Sequence, residues 1–411
     1  MAKAKANAPR VNLANSGARF EHLLGRVFRS QSIYFYQLLG VTLFLVVFGL
    51  VMVLSASSID ALKASNNSFA IFSKQAIFAL LGLVGMSAAS LMTMNWWRSK
   101  AKFGYMVFMV LQLAVLFIGK DINGNRNWIS VFGVAVQPSE FLKVAVVLHV
   151  SVFLSSRNTD LEAVSTWRKA GIMMAAAMIL VLGGKDLGTM IIMLIMFVGL
   201  LALAGMPMKL LRLVSVATVV LIPFALTLGS SSRVGRVTAW LNPNAPDPNG
   251  YNWQSEHGMW AIAAGRIFGA GLGESKMKWS WIPEVENDFI FAVISEELGL
   301  IGALVVIGLF VALAISLFRI WKRTSDEFSR NVVSGIMIWI IFQALINIAV
   351  VLRLLPVLGV PLPLISAGGS SLIATLGAIG IVLAVERENN ANPQAGRQAR
   401  MPATRQLRRV R

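Results

Sequence analysis

The sequence predicts an all-α polytopic membrane protein of about ten transmembrane helices, with one long extracellular loop between helices 7 and 8. Three observations predict it. Hydrophobic residues make up 56% of the chain and charged residues 14%, and the mean hydropathy is +0.69. Apolar runs recur near the length of about 20 residues that a helix needs to cross the hydrocarbon. The runs are continuous rather than alternating, which argues against strands.

Residues 1–33 are basic and polar, and the apolar run after them is too long for a signal-peptide core, so they read as a cytoplasmic tail. The transmembrane domain occupies 34–385, with spans near 34–56, 71–93, 104–119, 137–155, 170–183, 186–205, 210–229, 289–318, 332–352 and 363–385. The fifth is short and ends at the break Gly183-Gly184-Lys185-Asp186, while the eighth is long enough to tilt or to extend past the bilayer. The extracellular loop, 230–287, carries Trp240, Trp253, Trp260, Trp279 and Trp281 between prolines and glycines. A loop this long and aromatic serves function, or its tryptophans form an interfacial belt. Within it Ser255–Phe268 is expected to form an amphipathic helix lying on the membrane. Residues 386–411 are a second basic tail, disordered by composition.

A net charge of +18 suits nucleic acid in principle, but its distribution does not. An even number of spans puts both tails on one side. The remaining basic clusters, Arg98/Lys100/Lys102, Arg157/Arg168/Lys169, Lys209/Arg212 and Arg319/Lys322/Arg323/Arg330, fall on that same side. This is the positive-inside bias, which makes the tails cytoplasmic and excludes nucleic acid as the partner. Cysteine is absent, which excludes disulfides and thiol chemistry. The three histidines, His22, His149 and His257, lack metal-ligand spacing.

Several polar groups need a reason to lie at the membrane boundary. In Pro283-Glu284-Val285-Glu286-Asn287-Asp288-Phe289 an acidic loop runs into an apolar helix. Asp288 there is either a functional carboxylate or a helix N-cap. Glu140 and Lys143 share a helix face after Gln137-Pro138. They form a self-neutralising pair, or Lys143 holds a phosphate. Arg233 and Arg236 open the long loop and meet either a substrate headgroup or lipid phosphate, and Arg126 lies in the loop after the third span. Ser366, Gly368, Gly369 and Ser370 begin the last span, where small residues serve helix packing or admit a ligand to the backbone. Gln343 and Asn347, four apart, read as interhelical glue. Cations, a carboxylate and glycines gathered at the outer helix ends suit an anionic lipid.

Five motifs, in order along the chain, resemble one family: Gln137-Pro138-Ser139-Glu140, Asp186-Leu187-Gly188-Thr189, Arg236-Val237-Thr238-Ala239-Trp240-Leu241-Asn242-Pro243, Pro283-Glu284 with Asp288-Phe289-Ile290-Phe291-Ala292 and Glu296-Glu297-Leu298-Gly299, and Leu362-Pro363-Leu364-Ile365-Ser366-Ala367-Gly368-Gly369-Ser370-Ser371. They are similar to the SEDS proteins (shape, elongation, division and sporulation), and most similar to the division member in its actinobacterial form. The elongation member is the near alternative. Three departures stand out: Glu286 where the family often has His, Gly124-Asn125-Arg126-Asn127-Trp128 for Gly-Ala-Arg-Arg-Trp, and Gly184-Lys185 for Gln-Pro.

The resemblance implies a peptidoglycan glycosyltransferase that polymerises lipid II beside a class B penicillin-binding protein, among other divisome membrane proteins. It maps the catalytic aspartate onto Asp288. In that reaction a 4-hydroxyl attacks an anomeric carbon and undecaprenyl pyrophosphate leaves. Asp288 takes the hydroxyl proton, and burial beside Phe289, Phe291 and Trp281 would raise its pKa from the usual value of about 3.9. Arg126, Lys143, Arg233 and Arg236 are the expected cations for the diphosphate, with a divalent cation, Mg2+ or Mn2+, as the cofactor such a leaving group invites. A flippase would instead show repeated broken helices and midplane charges, and a pure scaffold would need no carboxylate at the boundary.

Overall fold

The computed structural model describes residues 31–122, 125–131, 134–157, 159–227, 231–243, 247, 250–276, 279 and 285–391. Most of both tails, Trp281 and Pro283-Glu284 lie outside them, and so does the side chain of Arg233. Each of the ten expected spans corresponds to a helix: α1 (Ile33–Ser65), α2 (Ala70–Leu91), α3 (Met94–Ile118), α4 (Pro138–Leu154), α5 (Val164–Gly183), α6 (Leu187–Leu203), α7 (Met208–Thr227), α10 (Ile290–Arg323), α11 (Glu327–Val351) and α12 (Gly369–Ala391). Seven of them (α1, α2, α3, α5, α10, α11 and α12) are long and apolar enough to cross a membrane. The long loop holds two further helices, α8 (Ser231–Leu241) and α9 (Trp253–Gly265), the latter ending before the expected Phe268.

Two features differ from the sequence reading. The loop after α3 pairs into a small antiparallel sheet, β1 (Lys120–Ile122), β2 (Asn125–Val131) and β3 (Val134–Val136). Long apolar runs carry no trace of so short a hairpin. The second tail begins later than 386, because α12 continues to Ala391. Glu386 is fully buried there, accepting from Ser32 Oγ at 2.6 Å with Arg323 3.6 Å away, so a charge that looks like tail is packed.

The position of each helix follows from its composition. In α12 78% of the most apolar window is buried, against 17% in α3, so α12 is the central helix and α3 turns its side chains to lipid. Small residues let the centre close. Gly82 of α2 faces Leu376 of α12, and Gly380 of α12 lies against Met86 and Ala89 of α2. Gly49 of α1 meets the backbone of Leu364 and Ile365.

The long eighth span is broken by a kink near its start. Gly299 sits inside α10 at φ 69°, ψ −166°, a conformation open essentially only to glycine. A break leaves helical donors and acceptors unpaired, and the segment after α9 supplies their partners. Ala270 N–H donates to Glu296 O (2.9 Å), Gly271 N–H to Glu297 O (3.0 Å) and Leu300 N–H to Arg266 O (2.9 Å). The Glu297 carboxylate accepts from Ser55 Oγ at 2.6 Å, and Glu296 accepts from Ser275 Oγ and from Lys276 N–H. A Cβ on Gly299 would overlap the Gly269 nitrogen. Gly299→Ala is therefore expected to destabilise the fold by about 2 kcal/mol or more. A thermal shift of the detergent-purified variant checks this, and an unchanged melting temperature would contradict it.

Candidate active site

On the side of the molecule that carries the sheet, the ends of α2, α4, α6 and α12 enclose a cavity of about 440 Å3 with β2, β3 and the turn before α10. Asp288 lines it from that turn, residues 285–289. Phe289 holds the N-cap position of α10, one residue after the aspartate. Backbone contacts fix the turn. Asn347 Nδ2 donates to Asp288 O (2.8 Å) and to Val360 O (2.7 Å), and Ala367 N–H donates to Glu286 O (2.9 Å). Val285 and Phe289 on either side are fully buried, while the Asp288 side chain is half-buried in the cavity. Its Oδ2 lies near Gly359, where a Cβ would stand 3.5 Å away.

Glu140 and Asp186 line the same cavity. Asp186 caps α6, accepting from Thr189 N–H at 2.9 Å, and its other oxygen accepts from Gln137 Nε2 at 2.8 Å. Glu140 is paired: Lys143 Nζ donates to its Oε1 at 2.8 Å and to Gln343 Oε1 at 3.2 Å, above the Trp339 ring. Lys143 is 1% exposed and is absent from the cavity lining, so it sits beneath the floor as the neutralising partner. Gln343 and Asn347 are glue, as their spacing suggests: Gln343 Nε2 also donates to Pro361 O at 3.0 Å.

The other expected residues divide. Gly368 and Gly369 line the cavity. Ser366 and Ser370 shape it from behind: Ser366 Oγ accepts from Leu362 N–H (2.8 Å) and Ser370 Oγ from Gln137 N–H (3.0 Å). Arg126 is not in the lining. Its Nη1 donates to Leu116 O at 3.2 Å, while its neighbours Asn125 and Asn127 line the cavity. Arg236, on α8, is also outside the lining. Among the lining residues not expected as part of the site are Lys74, Gln75 and Asn127. The signal for two of them was a charge one turn inside the second span, at Ser73-Lys74-Gln75.

Among the described residues no group of three acidic, histidine or cysteine side chains could hold a metal ion. Mg2+ or Mn2+ would have to arrive with phosphate oxygens supplying its ligands. A second hollow, about 500 Å3 and almost wholly apolar, runs along the same helices α2, α4 and α12 with α3, from Phe141 to Trp96, Trp97 and Lys100.

Comparison with known proteins adds to this geometry. The FTSW_RODA_SPOVE family model, described as "Cell cycle protein", matches residues 36–391. The chain is 38% identical over 373 residues to the "Probable peptidoglycan glycosyltransferase FtsW" of Mycobacterium tuberculosis, covering 90% of this chain and 70% of that protein. It is 34% identical over 354 residues to "Stage V sporulation protein E" of Bacillus subtilis, covering 84% and 95%. Among solved structures it is similar to a chain reported under "Structural coordination of polymerization and crosslinking by a peptidoglycan synthase complex", with a TM-score of 0.72 and 26% identity over 88% of this chain and 99% of that one.

Proposed function

Since the chain belongs to the FtsW, RodA and SpoVE family of cell cycle proteins, we propose that it is the division-type peptidoglycan glycosyltransferase of its cell, polymerising lipid II into glycan strands. One observation carries the reading: a carboxylate, Asp288, is held by backbone clamps in a cavity at the ends of membrane helices, where a lipid-linked sugar can enter. Asp288 accepts the proton of the attacking 4-hydroxyl as the glycosidic bond forms at the anomeric carbon of the second lipid II. Undecaprenyl pyrophosphate departs with the bonding electrons. The polyprenyl tails suit the apolar hollow along α2, α3, α4 and α12.

In this reading the cavity faces the outside and both tails the cytoplasm, following the positive-inside bias. Peptidoglycan needs crosslinks as well as strands, so a class B penicillin-binding protein works beside it at the septum, with other divisome membrane proteins. A divalent cation, Mg2+ or Mn2+, belongs to the reading as a companion of the diphosphate.

Purified protein given labelled lipid II, with and without the transpeptidase, tests the proposal. Glycan ladders are expected. Lipid movement across liposomes without ladders would make it a transporter, and neither result would make it a scaffold.

A further inference from the structure

The leaving diphosphate needs positive charge, and three of the four cations that the sequence offers for it are engaged or stand outside the lining, while the side chain of Arg233 lies outside the described residues. Lys143 is locked to Glu140, Arg126 reaches the end of α3, and Arg236 is absent from the cavity lining. Among the described residues the cation that lines the cavity is Lys74, exposed on the first turns of α2.

The position of Lys74 is fixed by its neighbour. Gln75 is 5% exposed; its Nε2 donates to Ser366 O at 3.1 Å and its Oε1 accepts from Gly368 N–H at 3.1 Å. This double clamp ties α2 to the start of α12, so Lys74 stands beside the N-terminal turn of a 23-residue helix. The first N–H groups of a helix have no intrahelical acceptor and carry partial positive charge. Gly369 packs its Cα side on Phe78, where a Cβ would come within 2.5 Å, and a Cβ on Gly368 would meet only Ser371. The backbone here is open to a ligand.

Two of the lining residues keep a buried acceptor with no hydrogen-bond partner, Glu140 Oε2 and Asn127 Oδ1, in side chains 3% and 4% exposed. They call for a ligand that brings donors, as the hydroxyl and amide groups of a sugar do. A cation with a helix N-terminus in one wall and orphan acceptors in the others match a molecule that is sugar at one end and phosphate at the other. We propose that Lys74 and the first turn of α12 bind the diphosphate of the polyprenyl-linked substrate. The inference rests on the function proposed above and names the cation of its site.

The test uses the full chain carrying Asp288→Asn, so that binding is read without turnover, and three probes in detergent micelles: undecaprenyl pyrophosphate, undecaprenol and inorganic pyrophosphate. Lys74→Ala is expected to weaken undecaprenyl pyrophosphate about 10- to 100-fold, the worth of a charge-assisted hydrogen bond. Lys74→Arg should restore most of it, and undecaprenol binding should not change. Equal affinity of the Asp288→Asn chain with and without Lys74→Ala for undecaprenyl pyrophosphate overturns the proposal. So does a Lys74-dependent affinity confined to inorganic pyrophosphate, which would mean a free-phosphate site. If the native chain makes no glycan but binds the lipid diphosphate through Lys74, the proposed function fails and this site stands.

Discussion

Asp288→Asn is expected to stop lipid II polymerisation, cutting turnover about 100- to 10,000-fold, while the protein inserts in the membrane and melts as the native chain does. Amide for carboxylate keeps the side chain's shape and removes its basicity. The fold should tolerate the change, since Asn347 and Ala367 grip the turn through the carbonyls of Asp288 and Glu286 and not through the carboxylate. Asp288→Glu keeps the charge but moves it outward by one methylene, toward the wall formed by Gly359. Misplacing a reacting group by about 1 Å can cost about 100-fold, so this variant should also be severely impaired. Glycan ladders from labelled lipid II measure both. Turnover of Asp288→Asn within a few-fold of native would remove the aspartate from the chemistry.

How much of this was legible beforehand depended on the length of the signal. Ten apolar runs gave ten helices because burial in lipid leaves the backbone no alternative. The kink at Gly299 was hidden, since glycine in an apolar run reads the same in a straight helix as in a broken one. Only the neighbouring Gly269, which must approach its backbone, decides between them. The sheet was hidden for a related reason: a three-residue strand has no measurable period. At the site, types were easier to read than directions. Asp288, Glu140 and the Gly368-Gly369 pair were found from their position at span ends, and they do line one cavity. The cations were not sorted, because sequence spacing says which residues carry charge and not which face of β2 or α4 they occupy. Lys143 is the clearest case: three residues from Glu140, it was open to both readings, and burial decides for the ion pair.

That pair carries the second large expectation. Lys143→Met should cost the fold about 3–5 kcal/mol, because the substitution leaves the Glu140 carboxylate buried without its counter-charge. Methionine fills the volume of the lysine stem, so the loss would be electrostatic and not a cavity. It would remove the donor held by Glu140 and Gln343 and the cation 4.6 Å from the Trp339 ring centroid. The double variant Glu140→Gln/Lys143→Met removes both charges and is expected to recover most of the folded yield and melting temperature, since exchanging a buried ion pair for neutral groups of similar size is often close to neutral. Folded yield by size-exclusion and the apparent melting temperature of the single and double variants in detergent give the coupling directly. Were Lys143 instead a phosphate ligand reaching the cavity, Lys143→Met alone would fold normally and lose affinity for undecaprenyl pyrophosphate. The double variant would then be no more stable than the single one. The two outcomes differ in whether the second substitution rescues the first, so one thermal series separates a lysine that neutralises the cavity floor from one that grips the substrate.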